Sequence, residues 1–84
     1  MGVKTKFSAQ VTGAIKAELA RRDIDGVALV DVLELSRNSV YARLRGERPF
    51  DTDEIAAASE FLGMSILDLL ASASIDAEST KAVA

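Results

Sequence analysis

Apolar residues along this chain recur at the spacing of amphipathic helices. Val11, Ile15 and Leu19 are four residues apart, and Ala14 falls on the same helical face. Ser8 stands just before this stripe, and its hydroxyl is suited to accept hydrogen bonds from the free N–H groups at a helix start. The pattern predicts a first helix that begins at Ser8.

Residues 27–35 fit two patterns. Val27, Leu29, Asp31, Leu33 and Leu35 alternate with the residues between them as the two faces of a strand would, and Asp25-Gly26 could form a hairpin turn before it. Leu29, Val30 and Leu33 also share one face of a helix, with Asp25 as its N-cap. No neighbouring segment supplies a partner strand, so we expect a second helix here.

Ser36 opens a third helix, which is predicted to end at Arg45. Val40 and Leu44 are four residues apart and point to the same side of this helix. Gly46 follows as a natural stop, because it accepts the left-handed backbone that ends many helices.

The chain then offers two further helix starts of the same kind. Asp51 and Glu54 have the spacing of a capping box, and Thr52 is an equally possible cap one residue on. Gly63 ends the helix that they open. Ser65 and Asp68 repeat the spacing at once and open a short fifth helix. The predicted buried stripe of the fourth helix consists of Ile55, Ala58, Phe61 and Leu62. The short fifth helix is indicated by Leu67, Leu69 and Leu70.

Together the elements predict an all-α fold, a compact five-helix bundle. The 84 residues allow one domain with one modest core. We expect an N-terminal arm over residues 1–7, a helical domain over residues 8–72 and a flexible C-terminal tail over residues 73–84.

The composition argues against several classes of function. The chain has no Cys and no His, which removes thiol chemistry, the usual zinc sites and the commonest general base. Asp51, Asp53 and Glu54 belong to a predicted first helical turn, where acids stabilise the helix dipole, and they do not predict a metal site. We expect no enzyme activity, no metal, no cofactor and no small-molecule substrate.

The chain also lacks the usual membrane signals. No apolar run approaches the roughly 20 residues of a membrane helix. The N-terminus does not lead into the apolar core of a signal peptide. We expect a cytoplasmic protein with no membrane partner.

The formal net charge of −3 conceals a basic segment. Residues 36–50 contain four arginines and one glutamate, whereas the rest of the chain contains six basic and twelve acidic residues. Phosphate binding requires cations, so a basic segment of this kind suits nucleic acid. A solvated helix face would give the same count, and charge alone leaves both interpretations open.

A tight turn, Leu33-Glu34-Leu35-Ser36, joins the second and third predicted helices. After the turn, the third helix presents Arg37, Asn38 and Ser39 on a polar face. A helix is narrow enough for the DNA major groove, where Arg bonds both acceptors of guanine and Asn pairs with adenine. The pattern therefore indicates a helix that binds DNA bases.

Ordered motifs cover most of the chain, from about Ser8 to Leu70. They are Ile24-Asp25, Leu29, Leu33, Leu35-Ser36-Arg37-Asn38-Ser39-Val40, Arg45-Gly46-Glu47-Arg48-Pro49-Phe50, Asp53-Glu54-Ile55, Phe61-Leu62-Gly63-Met64-Ser65 and Asp68-Leu69-Leu70. These motifs resemble the helix-turn-helix family of phage Cro proteins and repressors, the XRE type. The resemblance implies a lambda repressor-like DNA-binding domain of five helices with a central helix-turn-helix, and it favours a helix over residues 27–35.

Two positions depart from the family pattern. Glu34 stands where the turn commonly has Gly, and a non-Gly residue there is strained if its φ is positive. Arg43 stands at a position that is often apolar, with Leu44 supplying the inward contact. We therefore expect a slight rotation of the third helix, which leaves open which of Tyr41, Ala42 and Arg43 faces the bases.

The resemblance assigns roles to residues of this chain. Contacts to DNA bases are expected from Arg37, Asn38, Ser39, Tyr41 and Ala42. Contacts to DNA phosphates are expected from Gly26, Ser36, Arg43, Arg45 and Arg48. For Ser39 and Tyr41 an adjacent phosphate is the alternative. Lys4 and Lys6 are either a weak DNA-contacting arm or a solvated terminus, and the solvated terminus is favoured.

The function implied by the resemblance is sequence-specific binding of a double-stranded DNA operator by a transcription regulator in the cytoplasm of a bacterial host. A phage or prophage Cro-like regulator, a small immunity repressor and an antitoxin that represses its own operon all fit. Such domains usually act as homodimers, and the candidate dimer surface lies around Ile66, Leu70 and Ile75. The alternative is a helical protein–protein interaction module with little or no role on DNA.

Overall fold

The computed structural model describes the backbone of residues 2–73 and the side chains of residues 7–73. This part of the chain forms five α-helices and no strand. The helices are α1 (Gly2–Arg21), α2 (Leu29–Leu33), α3 (Arg37–Leu44), α4 (Thr52–Leu62) and α5 (Ile66–Ala73). A 3₁₀ turn (Gly26–Ala28) leads directly into α2. The predicted all-α, five-helix fold is confirmed, and residues 27–35 do not form a strand.

Four of the five predicted side-chain caps are present. The side chains of Asp25, Ser36, Asp51 and Ser65 each accept a hydrogen bond from a backbone N–H two or three residues later, at 2.7–3.1 Å. The Glu54 carboxylate also accepts from the Asp51 N–H at 3.0 Å, which completes the capping box of α4. These local bonds explain why the 3₁₀ turn and helices α3, α4 and α5 begin where the sequence places them.

Both ends of the helical region differ from the prediction. The predicted start of the first helix at Ser8 is wrong, because α1 begins at Gly2 and Ser8 lies within it. Residues 2–7 contain no proline, and a serine is tolerated inside a helix, so nothing stops α1 from extending. At the other end, α5 includes the buried Ala73, where the tail is predicted to begin.

Other predictions fall on parts of the chain that remain untested. The side chains of Lys4 and Lys6 lie outside the described side chains, so their contribution to an arm stays a prediction. Ile75 and the rest of the predicted tail, residues 74–84, lie outside the described residues altogether.

Helices α1 to α4 all end through a left-handed residue. The four residues are Asp23, Glu34, Gly46 and Gly63, with φ values of 56°, 56°, 83° and 75°. In each case the N–H of the following residue bonds a carbonyl five positions back, at 2.9–3.2 Å, which closes the helix end. Two of these four positions carry side chains instead of Gly, and their backbone is correspondingly strained.

One hydrophobic core joins the helices. α2 packs against α4, α3 packs against the 3₁₀ turn, and α1 lies against both α3 and α4. The buried apolar residues are Val11, Ala14, Ile15, Leu19, Leu29, Leu33, Val40, Phe50, Ala58, Leu62, Leu69 and Ala73. The predicted stripe of α1 is confirmed in full.

One predicted core position, Phe61, is instead on the surface, and so is Leu67 of α5. Phe61 is 40% exposed and Leu67 is 73% exposed. Their helices bury one narrow stripe, which Ala58, Leu62 and Leu69 already fill. Apolar character alone does not distinguish such neighbours, because a short helix has too few turns to define its buried face from sequence.

Over residues 2–73, no single helix is long and apolar enough to cross a membrane. α4 and α5 reach the required length and composition only when they are taken together, and they meet at an angle of 100°.

Candidate functional site

The residues predicted to contact bases all lie in α3. Helical spacing puts Arg37 and Tyr41 in one row and Asn38 and Ala42 in the next. Arg37 and Asn38 are exposed, whereas Tyr41, Ala42 and Ser39 are half-buried. Among the described residues, neither Arg37 nor Asn38 has a side-chain hydrogen bond, so both polar ends are available to a ligand.

Ser36 and Ser39 form a closed pair at the start of α3. Ser36 Oγ accepts the Ser39 N–H at 3.1 Å and donates its own proton to Ser39 Oγ at the same distance. Ser36 therefore uses its hydroxyl as a helix cap. A phosphate contact by Ser36 or a base contact by Ser39, as predicted, would require the hydroxyl to make an additional hydrogen bond or to break one of these two.

Tyr41 is attached to the element that precedes α2. Its hydroxyl donates to Asp25 Oδ1 at 2.8 Å, and the same oxygen accepts the Val27 N–H at 2.9 Å. The Val27 N–H and then the Tyr41 hydroxyl lower the pKa of Asp25 below its ordinary value. The hydrogen bond to Asp25 raises the pKa of Tyr41. The sequence analysis did not predict this contact.

Gly26 lies directly against α3. A Cβ atom built on Gly26 would stand 2.5 Å from Leu44 Cδ1 and 3.5 Å from Tyr41 Cε1. Close approach of the 3₁₀ turn to α3 therefore requires glycine or a shift of the Leu44 side chain. Gly26 is half-buried, so a phosphate could contact its backbone N–H only from the side that α3 does not cover.

Arg43 has protein partners on both sides of its guanidinium. Nε donates to Glu54 Oε1 at 2.8 Å, and Nη1 donates to the Ser39 carbonyl at 3.0 Å. The side chains of Arg43 and Glu54 are only 14% and 11% exposed. Arg43 thus lies between α3 and the start of α4, apart from the exposed arginines. Its predicted phosphate contact has no support in this geometry.

A groove lies between α1 and the segment that follows α3. Its volume is about 420 Å³. Arg45, Arg48 and Lys16 all line it, so the structure brings two predicted phosphate contacts together with a lysine that the sequence analysis missed. The signal for Lys16 was absent from the sequence, because it lies far from the basic segment and meets it only through packing of α1.

The cations of this groove differ in their partners. Arg45 and Glu47 form an exposed pair with bonds of 2.7 and 3.2 Å, which lowers the pKa of Glu47. Arg48 and Lys16 have no salt bridge to any residue that the structure describes. An exposed pair is weakly held, so Arg45 can exchange Glu47 for another anion at little cost.

The turn between α2 and α3 is strained at Glu34, as the sequence analysis anticipated. Glu34 has φ 56° and ψ 44°, the left-handed conformation for which Gly is the usual residue. The side chain is exposed. The turn is therefore formed by a non-glycine residue with positive φ, and the backbone strain expected for that case is present.

The described surface thus has two exposed polar residues at the start of α3, and after the end of α3 a groove lined by three cations and one acid. Such a surface can donate several hydrogen bonds and accept a polyanion. Comparison of the chain with protein-family models, with curated proteins and with solved structures finds no significant match.

Proposed function

We propose that the chain is a sequence-specific double-stranded DNA-binding transcription regulator of the Cro or repressor type. In this proposal α2, the turn at Glu34 and α3 act as a helix-turn-helix, and α3 enters the major groove. The observation that carries the proposal is the exposure of Arg37 and Asn38 and the lack of hydrogen-bond partners for their side chains over residues 7–73. Both are exposed at the start of a capped helix and free of protein partners among the described residues.

Rigid support of α3 also favours this proposal. Base readout requires side chains that are held at fixed positions relative to the rest of the domain. The Tyr41–Asp25 bond holds α3 to the 3₁₀ turn, and the Arg43–Glu54 pair holds it to α4. In this account Arg43 supports the helix, and the phosphate contacts fall to Arg45, Arg48 and Lys16.

Exposed apolar residues on α5 support the further proposal of a homodimer. Ile66 is 39% exposed and Leu67 is 73% exposed, and Leu70 is half-buried beside them. A two-fold dimer would present two copies of α3 to half-sites about 34 Å apart, one turn of DNA. Sedimentation equilibrium of the Leu67→Glu variant tests the surface, and a dimer that persists unchanged would exclude Leu67 from it.

The same apolar residues favour the second candidate, a helical protein–protein interaction module such as an antitoxin-like domain. Salt dependence separates the two functions. DNA affinity falls steeply with salt, with a log–log slope of about −0.9 for each phosphate neutralised, whereas an apolar interface does not weaken steeply with salt.

The decisive experiment is a titration of the protein against a pool of random-sequence duplexes over a range of salt concentrations. We expect a steep loss of affinity with salt, and a slope that becomes shallower by about 1 in Arg48→Ala. Arg21→Ala is the matched control, because Arg21 is paired with Glu18 on α1, and its slope should equal that of the wild type. No binding at low salt would overturn the proposal.

A further inference from the structure

Tyr41 donates a hydrogen bond to an oxygen that already accepts another one. Asp25 Oδ1 accepts the Val27 N–H and the Tyr41 hydroxyl at the same time, at 2.9 and 2.8 Å. Asp25 therefore caps the 3₁₀ turn and holds α3 through one atom. The two residues are sixteen positions apart, so the bond fixes one element against another and is not a local feature of either.

Packing at Gly26 supports the same arrangement. Tyr41 and Leu44, one helical turn apart on α3, both face the point where a Gly26 side chain would begin. The ring of Tyr41 thus lies over the 3₁₀ turn while its hydroxyl bonds the cap of that turn. Any rotation of α3 about its axis would separate both contacts together.

The hydrogen-bonding capacity of the phenol is largely used by this contact. The hydroxyl has one proton, which it donates to Asp25, and the ring is half-buried. A base contact would have to break this bond or use the remaining lone pairs of the oxygen. Arg37 and Asn38 carry no such commitment within the described part of the chain.

We infer that Tyr41 is a positioning residue, which sets the orientation of α3 against the 3₁₀ turn through Asp25 and does not read a DNA base. The inference rests on the proposed function, since it assigns the role of Tyr41 within that site. It gives Asp25, an acid at the edge of the proposed DNA-binding surface, a supporting role in that surface.

The first test needs no DNA. Tyr41 is the only tyrosine of the chain and there is no Trp, so ultraviolet absorbance follows its ionisation alone. We expect the phenol of the folded wild type to titrate above its ordinary value of about 10, and Asp25→Ala to return it towards that value. Equal titration curves for the two proteins would show that the bond is absent and would overturn the inference.

The second test measures DNA affinity and base preference for Tyr41→Phe, Asp25→Ala and the double variant, at a temperature where circular dichroism shows all of them folded. Tyr41→Phe should bind about threefold to tenfold more weakly with unchanged base preference, as expected for one lost hydrogen bond. Asp25→Ala loses the bond from Val27 as well, and it should also weaken binding without changing the base preference. The double variant should bind no more weakly than the weaker single variant, because both changes remove the same contact.

Asp25→Asn is the conservative control. The amide oxygen can still accept both hydrogen bonds, so affinity should be retained or raised as the negative charge is removed. A changed preference at one base pair in Tyr41→Phe, with none in Asp25→Ala, would show direct readout and overturn the inference. Failure of every protein to bind DNA would overturn the proposed function, while the titration would still decide the Tyr41–Asp25 contact.

Discussion

Arg43 Nε donates to Glu54 Oε1 at 2.8 Å and so connects α3 to the capping box of α4. The same Glu54 oxygen accepts the Asp51 N–H at 3.0 Å. One carboxylate thereby closes the start of α4 and neutralises an arginine of the helix before it. This pair explains how an arginine occupies a position at which an apolar residue was the expectation.

Removal of Arg43 should destabilise the fold. In Arg43→Ala the nearly buried Glu54 loses its cation, and we expect a loss of about 1–3 kcal/mol in the free energy of unfolding. Arg45→Ala is the matched control, because Arg45 and Glu47 are both more than half exposed, and it should leave stability nearly unchanged. Urea unfolding measures both, and equal losses would contradict the structural role given to Arg43.

Glu18 should make stability depend on pH. Its side chain is 7% exposed and is paired with Arg21 and Arg22 on the same helix. The hydrogen bond from Arg22, followed by that from Arg21, lowers the pKa of Glu18 below 4.5 in spite of burial. A lowered folded pKa stabilises the protein above the unfolded pKa, and the contribution is lost as the pH falls through the folded value.

Glu18→Gln isolates this contribution. The variant should be less stable than the wild type by about 1–3 kcal/mol at pH 7, and the difference should shrink as the pH falls below about 4.5. Thermal unfolding at several pH values measures it. Glu60→Gln, at an exposed position of α4, is the control. A Glu18→Gln difference that stayed constant down to pH 2 would exclude a charge-dependent role.

Glu34→Gly should stabilise the protein or leave it unchanged. Gly relieves the left-handed strain at φ 56°, a gain of about 1–2 kcal/mol that is partly offset by the greater freedom of Gly in the unfolded chain. Glu60→Gly makes the same substitution inside α4 and should cost about 1 kcal/mol. Chemical denaturation of the two variants gives the comparison, and a loss at Glu34 as large as that at Glu60 would show that the turn is not strained.

Gly13 and Gly26 should respond oppositely to alanine. A Cβ on Gly13 meets nothing within 4 Å, so Gly13→Ala should stabilise α1 by up to about 1 kcal/mol. A Cβ on Gly26 would stand 2.5 Å from Leu44 Cδ1, so Gly26→Ala should lower stability by about 1–3 kcal/mol as Leu44 is displaced. Melting temperatures check the signs, and stabilisation by Gly26→Ala would mean that the turn and α3 are less closely packed.

The local features of this fold were predictable from the sequence because their causes are local. The caps at Asp25 and Ser36 and the stop at Gly63 each depend on residues within a few positions and are confirmed, with Asp25 capping the 3₁₀ turn that leads into α2. Of the two possible caps of α4, Asp51 and Thr52, the structure uses Asp51. The choice of helix over strand for residues 27–35 is confirmed as well. The start of α1 was missed because Ser8 suits a cap but also tolerates a helix interior.

The missed features depend on contacts between distant residues. Glu54 lies eleven positions after Arg43, and Asp25 lies sixteen positions before Tyr41. Neither bond can therefore be predicted from helical periodicity. Both bonds change the interpretation of the candidate site, because Arg43 and Tyr41, which were predicted to contact DNA, bind other residues of the protein instead. The exposed residues Arg37 and Asn38 keep the roles that the resemblance implied, and those roles stay predictions.

Selection from a randomised duplex library, by the wild type and by Arg37→Ala at the same stated salt concentration, tests the central proposal most directly. If α3 binds base edges, the wild type enriches a defined sequence. Arg37→Ala should then lose discrimination at one base pair by about 1–3 kcal/mol while it keeps the rest of the preference. No enriched sequence with the wild type, or the same full preference with Arg37→Ala, would contradict the account.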